Sequence, residues 1–399
     1  MRFGAQECVP HGGDKYCWLP EEFEGDGDIA GPGVLFAFVV GAAISLISAL
    51  VVLIFEGIER FRREHPGAHA ARDFFDSLVV GFSDTQLITS LALLASTYFR
   101  LGCKISAYHY DLVCNLVLIS SAAHIGPVAV MHRYYDRFKG LGILRFCLIL
   151  PSFVLTWILI AKRNDSNIFP TYKPNSTPGG NNTALVLHAA CLIDHPGAKQ
   201  AHDFHNFTAS IYWTTWFTNT TISVPSNSSS QFTNSTILTN RTIPAYSNFS
   251  SDDTLKDPGD MTAFGFLTGA FVLTSLLSVA QKYVHKTNLE QKTLDAIHRA
   301  AVILKTAALI TCFGIAIWSY TRFQTLHSWM QKSDWLRDDD AERSPDSFGQ
   351  LVPLVLLALP FLTIFEQLVA QSPDKDSDQE KNDNESTSNM RLRSMEQDR

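Results

Sequence analysis

The chain has 399 residues, 46% of them apolar or aromatic and only 18% charged, with a formal net charge of −7. About a quarter of the residues in a soluble globular domain are charged, and here the deficit is concentrated in long apolar runs separated by strongly polar stretches. That distribution argues against a disordered chain, a coiled coil or a soluble multi-domain enzyme, and the acidic balance without a Lys/Arg stripe argues against a nucleic-acid binder.

Residues 1–32 form a polar amino-terminal segment. A helix crossing the hydrocarbon needs about 20 mostly apolar residues, because every backbone N–H and C=O must be bonded within the segment. Residues 34–55 meet this without a charge, and further spans are expected at 77–99, 111–131, 143–161, 262–280, 300–320 and 351–369. The fold class is therefore an all-α polytopic bundle of about seven spans, with spans 1–4 in residues 33–161 and spans 5–7 in 261–370. The second and third spans carry Asp84, Gln86, Asn115 and His124, so either could instead be re-entrant.

Orientation follows from Lys and Arg in short loops. Arg60, Arg62, Arg63 and Arg72 follow the first span, whereas only Arg2 and Lys15 precede it among seven acidic residues. This puts the amino terminus outside or in a lumen and the carboxyl terminus in the cytosol. No cleavable signal peptide is visible, so the first span is expected to act as its own anchor.

The long segment 162–260 then falls outside. It holds nine N-x-S/T acceptors, at Asn164, Asn175, Asn181, Asn206, Asn219, Asn227, Asn234, Asn240 and Asn248. An N-glycosylated loop is the reading, in agreement with the charge count. Its stretch Ile211-Tyr-Trp-Thr-Thr-Trp-Phe217 favours a small β-rich cap, with a ligand-contact surface as the alternative. Four cysteines, Cys8, Cys17, Cys103 and Cys191, lie on the oxidising side and could form two disulfides. Three pairings are possible, and Cys8–Cys17 with Cys103–Cys191 is preferred. Cys114, Cys147 and Cys312 fall within spans and are expected to behave as small apolar residues. Residues 371–399 have the composition of a solvated tail.

Polar groups at membrane depth are functional candidates. Asp84, Gln86, Asp111, Asn115 and His124 could hold a proton, a cation or a small ligand between the second and third spans; structural hydrogen bonding between helices is the competing reading. His109, Asp111 and His124 invite comparison with seven-span metal hydrolases, but the last span carries no His and the ligand set is incomplete. His195, His202, Asp203 and His205 have metal-like spacing in the loop, where surface placement is the commoner role. Neither a metal nor another cofactor is expected. Gly265 and Gly269 form a G-x-x-x-G pair suited to a close helix partner. Pro151, Pro353 and Pro360 should kink their spans, and Lys305 and Glu366 should snorkel.

The stretch Ser83-Asp-Thr-Gln-Leu-Ile-Thr89, with Ile105-Ser-Ala-Tyr-His-Tyr-Asp111, resembles a group of fungal multi-pass membrane proteins of unassigned function that carry S-D-x-Q-L-[IV]-T and S-x-Y-H elements. Ser90 stands where that pattern has Gly. The resemblance implies a layout and no reaction. A looser similarity is to G-protein-coupled receptors: Cys103 ahead of the third span, Cys191 in the next outer loop and His132-Arg-Tyr134 at the third span's inner end fit, while the N-P-x-x-Y element is missing. The expected function is a non-enzymatic surface sensor or receptor-like protein in the plasma membrane or another secretory-pathway membrane. The alternative is a transporter or channel using Asp84, Gln86 and His124. Expected partners are the lipid bilayer and N-linked glycans, with a small ligand or ion open and no nucleic acid.

Overall fold

A computed structural model describes residues 23–59, 66–100, 104–130, 139–166, 169–170, 184–193, 216–225, 232–241, 259–284, 291–333, 335–336, 342–343 and 348–370. Its helices are α1 (Gly27–Ala30), α2 (Pro32–Glu59), α3 (Pro66–Arg100), α4 (Ala107–Val130), α5 (Lys139–Asp165), α6 (Ala189–Ile193), α7 (Gly259–Val284), α8 (Gln291–Gln331) and α9 (Phe348–Ala370). A short 3-10 turn covers Ala184–Val186, and strands β1 (Trp216–Pro225) and β2 (Phe232–Arg241) pair antiparallel, Trp216 opposite Arg241 and Pro225 opposite Phe232. The hairpin agrees with a β-rich element in the insert; residues 211–215 lie outside the described residues.

Among the described residues, six helices are long and apolar enough to cross a membrane: Gly27–Gly57, Phe74–Arg100, Ala107–Val128, Ile143–Asp165, Gly259–Leu277 and Arg299–Gln331. The expectation of seven is met by six, with the shorter apolar stretch Gly349–Leu362 of α9 beside them. Large apolar side chains such as Phe36, Ile47, Phe146, Trp157, Leu276, Ile303, Ile310 and Val355 point outward, whereas Ser45, Gln86, Ser90, Asn115, Ser120 and His124 are buried inside. Apolar groups outward and polar groups inward is the arrangement lipid selects. The chain is a multi-pass membrane protein.

The third span, among the weakest on hydropathy, is the central helix. α2, α3, α7 and α8 pack around α4, and the described residues of α4 are buried from its first turn to Gly126. Asn115 and His124 interrupt its apolar run without meeting lipid. Close approach is built in where α9 crosses α3: a Cβ at Gly81 would lie 2.8 Å from Pro360 Cβ. Pro127, Pro151, Pro353 and Pro360 all lie inside helices.

Two helices outrun their hydropathy. The fifth span's predecessor, α5, continues to Asp165 and α8 to Gln331, past the expected ends at 161 and 320. The residues that stopped the apolar runs, Arg163 and Arg322, are paired with acids of neighbouring helices. Lys305 also departs from expectation. Its side chain is only 2% exposed and pairs with Glu56, so it does not snorkel. Cys114, Cys147 and Cys312 lie within candidate spans, Cys114 and Cys312 buried and Cys147 exposed on the outward side of α5. Cys8, Cys17 and Cys103 lie outside the described residues, as does the side chain of Cys191.

Candidate functional site

The helix ends fix which residues meet. Gln350 at the start of α9 lies against Gly33 at the start of α2, and its Oε1 accepts from the Gly33 N–H (3.3 Å). Arg100 at the end of α3 pairs with Asp26 before α1. Arg163 at the end of α5 pairs with Asp111 at the start of α4 and with Asp260 at the start of α7, and Asp260 also accepts from Arg322 near the end of α8 (2.9 Å). Alternate helix ends therefore gather at one end of the bundle, here called the α1 end. Two buried polar networks sit there.

The first is Asp111–Arg163–Asp260–Arg322, two acids and two bases from four helices. Asn115 donates to the Asp111 carbonyl (2.9 Å), one turn deeper. Paired buried charges contribute little net stability over an apolar replacement, but removing one partner leaves a bare charge inside. This network fixes α4, α5, α7 and α8 relative to one another.

The second centres on Glu342, in the connection between α8 and α9, with its side chain fully enclosed. His109 Nε2 lies 2.7 Å from Glu342 Oε1, and Tyr108 O–H donates to Oε2 (3.1 Å). The Asp26 backbone N–H reaches Oε1 (3.1 Å) and His109 Nε2 (3.0 Å). His327 Nδ1 lies 2.9 Å from the Tyr108 hydroxyl, Gln331 Nε2 lies 2.8 Å from His327 Nε2, and Ser106 Oγ lies 2.8 Å from His109 Nδ1. Phe23 stacks on the His109 ring at 5.5 Å.

The insert joins this end. Ala107 N–H donates to Leu187 O (2.7 Å) and Ala189 N–H to Ile105 O (2.9 Å), which pairs Ser106 with His188. Leu185, Val186, Leu187, Ala189, Leu192 and Ile193 enter the apolar core, and Ser166 donates to Leu192 O (2.7 Å). Residues 184–193 thus cap the start of the central helix. Burial pushes the His188 imidazole below its ordinary value.

The sequence candidates are not brought together. Asp84 pairs with Arg145 of α5 at 2.5 Å, in a shallow crevice lined by Val80, Leu87, Pro127 and Ile149. Gln86, two residues on and so on a different face of α3, donates to Ala37 O (3.0 Å) and Phe38 O (3.3 Å) of α2, while Ser120 of α4 donates to Gln86 O (2.8 Å). His124 sits edge-on to Phe153 of α5, centroids 6.2 Å apart, with both ring nitrogens buried and without a hydrogen-bond partner among the described residues. Asp111 and Asn115 belong to the α1-end network.

His109 and Asp111, neighbours in sequence, enter separate networks, and among the described residues no three His, Cys, Asp or Glu side chains are grouped to hold a metal. His195, His202, Asp203 and His205 lie outside the described residues. A Cβ on Gly265 or Gly269 would meet nothing within 4 Å, so that pair contacts no described part of this chain. Asn164 lies in the last turn of α5, Asn219 in β1, and Asn234 and Asn240 in β2; Asn175, Asn181, Asn206, Asn227 and Asn248 are outside the described residues.

Sequence reading singled out none of Arg163, Asp260, Arg322, His327 or Glu342, and met Tyr108 only inside the S-x-Y-H element. A signal was present: Arg100, Arg163 and Arg322 stand at or near the ends of α3, α5 and α8, and each meets an acid at or just before the start of another helix. No family model, no curated protein and no solved structure matches the chain. On its own fold, it is a multi-pass helical membrane protein with six candidate spans.

Proposed function

We propose that the chain is a receptor-like, non-enzymatic membrane protein whose glycosylated insert receives the signal and whose central helix transmits it. The observation that carries this reading is the docking of residues 184–193 on the start of α4, through the Ser106/His188 pair and an apolar plug. An event on the insert reaches the most enclosed helix of the bundle through a backbone-bonded contact. The dispersal of Asp84, Gln86 and His124 onto separate partners supports this reading over a shared transport path.

A seventh crossing by α9 belongs to the proposal. Gln350 lies against Gly33 and Leu357 against Gly41, so α9 runs parallel to α2, and its 23 residues extend about 34 Å at 1.5 Å per residue. With seven crossings and positive-inside orientation, the α1 end and the insert face outward, the Asn acceptors of the insert beyond the end of α5 carry glycans, and the protein resides in the plasma membrane or another secretory-pathway membrane. The Ser106/His188 pair favours the Cys103–Cys191 disulfide, because residues three positions from each partner hold the two cysteines. The fungal-type layout and the receptor-like layout are both compatible with this arrangement.

The test is reconstitution of the full chain into proteoliposomes with imposed proton and potassium gradients. A receptor-like protein leaves both gradients standing. Flux that disappears in Asp84→Asn while the protein stays folded would make the transporter reading correct. Glycosidase treatment with a gel shift checks the topology independently: an unshifted band, with the insert reached only by cytosolic probes, would overturn it.

A further inference from the structure

With Glu342 ionised, the hydrogens of its contacts among the described residues can be assigned as follows. Tyr108 has one hydroxyl hydrogen and donates it to Glu342 Oε2. His327 Nδ1 must then carry the hydrogen that fills its 2.9 Å contact with the Tyr108 oxygen, leaving Nε2 to accept from the Gln331 amide. On the other side His109 Nε2–H fills the 2.7 Å contact with Oε1 and Nδ1 accepts from the Ser106 hydroxyl, so in this state the Asp26 N–H, which lies 3.0 Å from Nε2 and 3.1 Å from Oε1, donates to Oε1. Donors converge on one enclosed carboxylate from both directions: Gln331 to His327 to Tyr108 to Glu342, and Ser106 to His109 to Glu342. In this state both imidazoles are neutral and each keeps one acceptor nitrogen.

We propose that this cluster is a proton-binding site, in which His109 and His327 jointly take up a single proton beside the Glu342 carboxylate. The site is built for the added hydrogen. At His109 Nδ1 it needs only rotation of the Ser106 hydroxyl, which turns from donor to acceptor; at His327 Nε2 it needs only a flip of the Gln331 amide, which then offers its oxygen. A first imidazolium lies 2.7 Å (His109) or 3.7 Å (His327) from a Glu342 oxygen, and its charge opposes a second, so the two rings titrate as one unit.

Among the described residues, the charged and titratable groups facing the cluster are Asp26 with its partner Arg100, which also pairs with Asp28, Tyr108 on α4, and Arg343, whose guanidinium donates to the Gln331 carbonyl (3.0 Å). Proton occupancy therefore acts where the segment before α1, α4, α8 and the α8–α9 connection meet. The site does not depend on the receptor-like reading.

The experiment is proton uptake by the full chain in detergent micelles, titrated from about pH 8 to about pH 4.5, the range that brackets ordinary imidazole ionisation. His109→Gln keeps a donor at the Nε2 position and His327→Asn keeps one at Nδ1. Each single variant is expected to lose well under one proton, because the remaining ring takes it, while the double variant loses about one. Losses of about one for each single and two for the double would mean independent rings and overturn the proposal, as would no loss in the double. Should the variants fail to fold, nitrogen-15 histidine spectra of the unaltered chain decide. Two imidazoles sharing one midpoint, each reaching only part of the full imidazolium shift, support the site; their absence overturns it.

Discussion

Lys305 of α8 places its ammonium 3.2 Å from both carboxylate oxygens of Glu56 on α2, and both side chains are almost fully enclosed. Glu56 lies 23 residues along α2 from Gly33, about 35 Å at 1.5 Å per residue, so this pair fastens the end of the bundle opposite the α1 end. Lys305→Met alone takes the ammonium away from the enclosed Glu56 carboxylate and should cost about 3–5 kcal/mol. Adding Glu56→Leu should recover most of it, because an apolar pair has no charge to strand. Thermal unfolding in detergent checks both, and a double variant no better than the single would show that the pair is not what the lysine serves.

Gly41 lets Gln86 reach the α2 backbone. A Cβ at 41 would collide with Gln86 Nε2 and come within 3.1 Å of Leu357 Cδ1. Gly41→Ala should therefore destabilise the bundle by about 1–3 kcal/mol, the usual range for overfilling a packed interior. Gln86→Ala in the same chain removes the colliding amide and should restore part of the loss. Equal melting of Gly41→Ala and the unaltered chain would contradict the packing.

His188 makes the docking of residues 184–193 sensitive to acid. Its value is held below the ordinary 6.5 by burial, so the undocked segment binds the proton first. The docked form is at full strength above roughly pH 6.5 and weakens as pH falls below it. Hydrogen exchange across 184–193 should rise between about pH 7 and 5 beyond the intrinsic pH trend, and His188→Gln should remove the excess.

Asn164 should stay free of sugar although its triplet is intact. It sits in the last turn of α5, and the Ser166 hydroxyl is buried and bonded to Leu192 O. Asn219, Asn234 and Asn240, on the hairpin of the insert, should be occupied. Glycopeptide mass spectrometry reads each position separately, and a sugar on Asn164 would require the end of α5 to open.

How much of this was legible in the sequence depends on what apolar length can report. It locates α2 and α5 well, because their apolar faces meet lipid. It ranks α4 low for Asn115 and His124, since hydropathy carries no information about which helix stands in the middle. It ends α8 at 320 because Arg322 reads as solvated, whereas Asp260, 62 residues earlier, neutralises it. Lys305 misleads in the same way, its partner Glu56 lying 249 residues before it. Glu342 was invisible: a lone acid in a polar connection has no local pattern, and its contact with His109 spans 233 residues.

The pairing of Asp111 with Arg163 and Asp260 also bears on how the chain is made. As the ribosome delivers the central helix to the bilayer, Asp111 meets the Arg163 guanidinium only when the end of α5 emerges 52 residues later, and the circuit closes only when Arg322 is synthesised. Chains cut short between Asp111 and Arg163, or between Asp260 and Arg322, hold one acid more than base in this network, and such truncated products should be retained and degraded faster than the full chain.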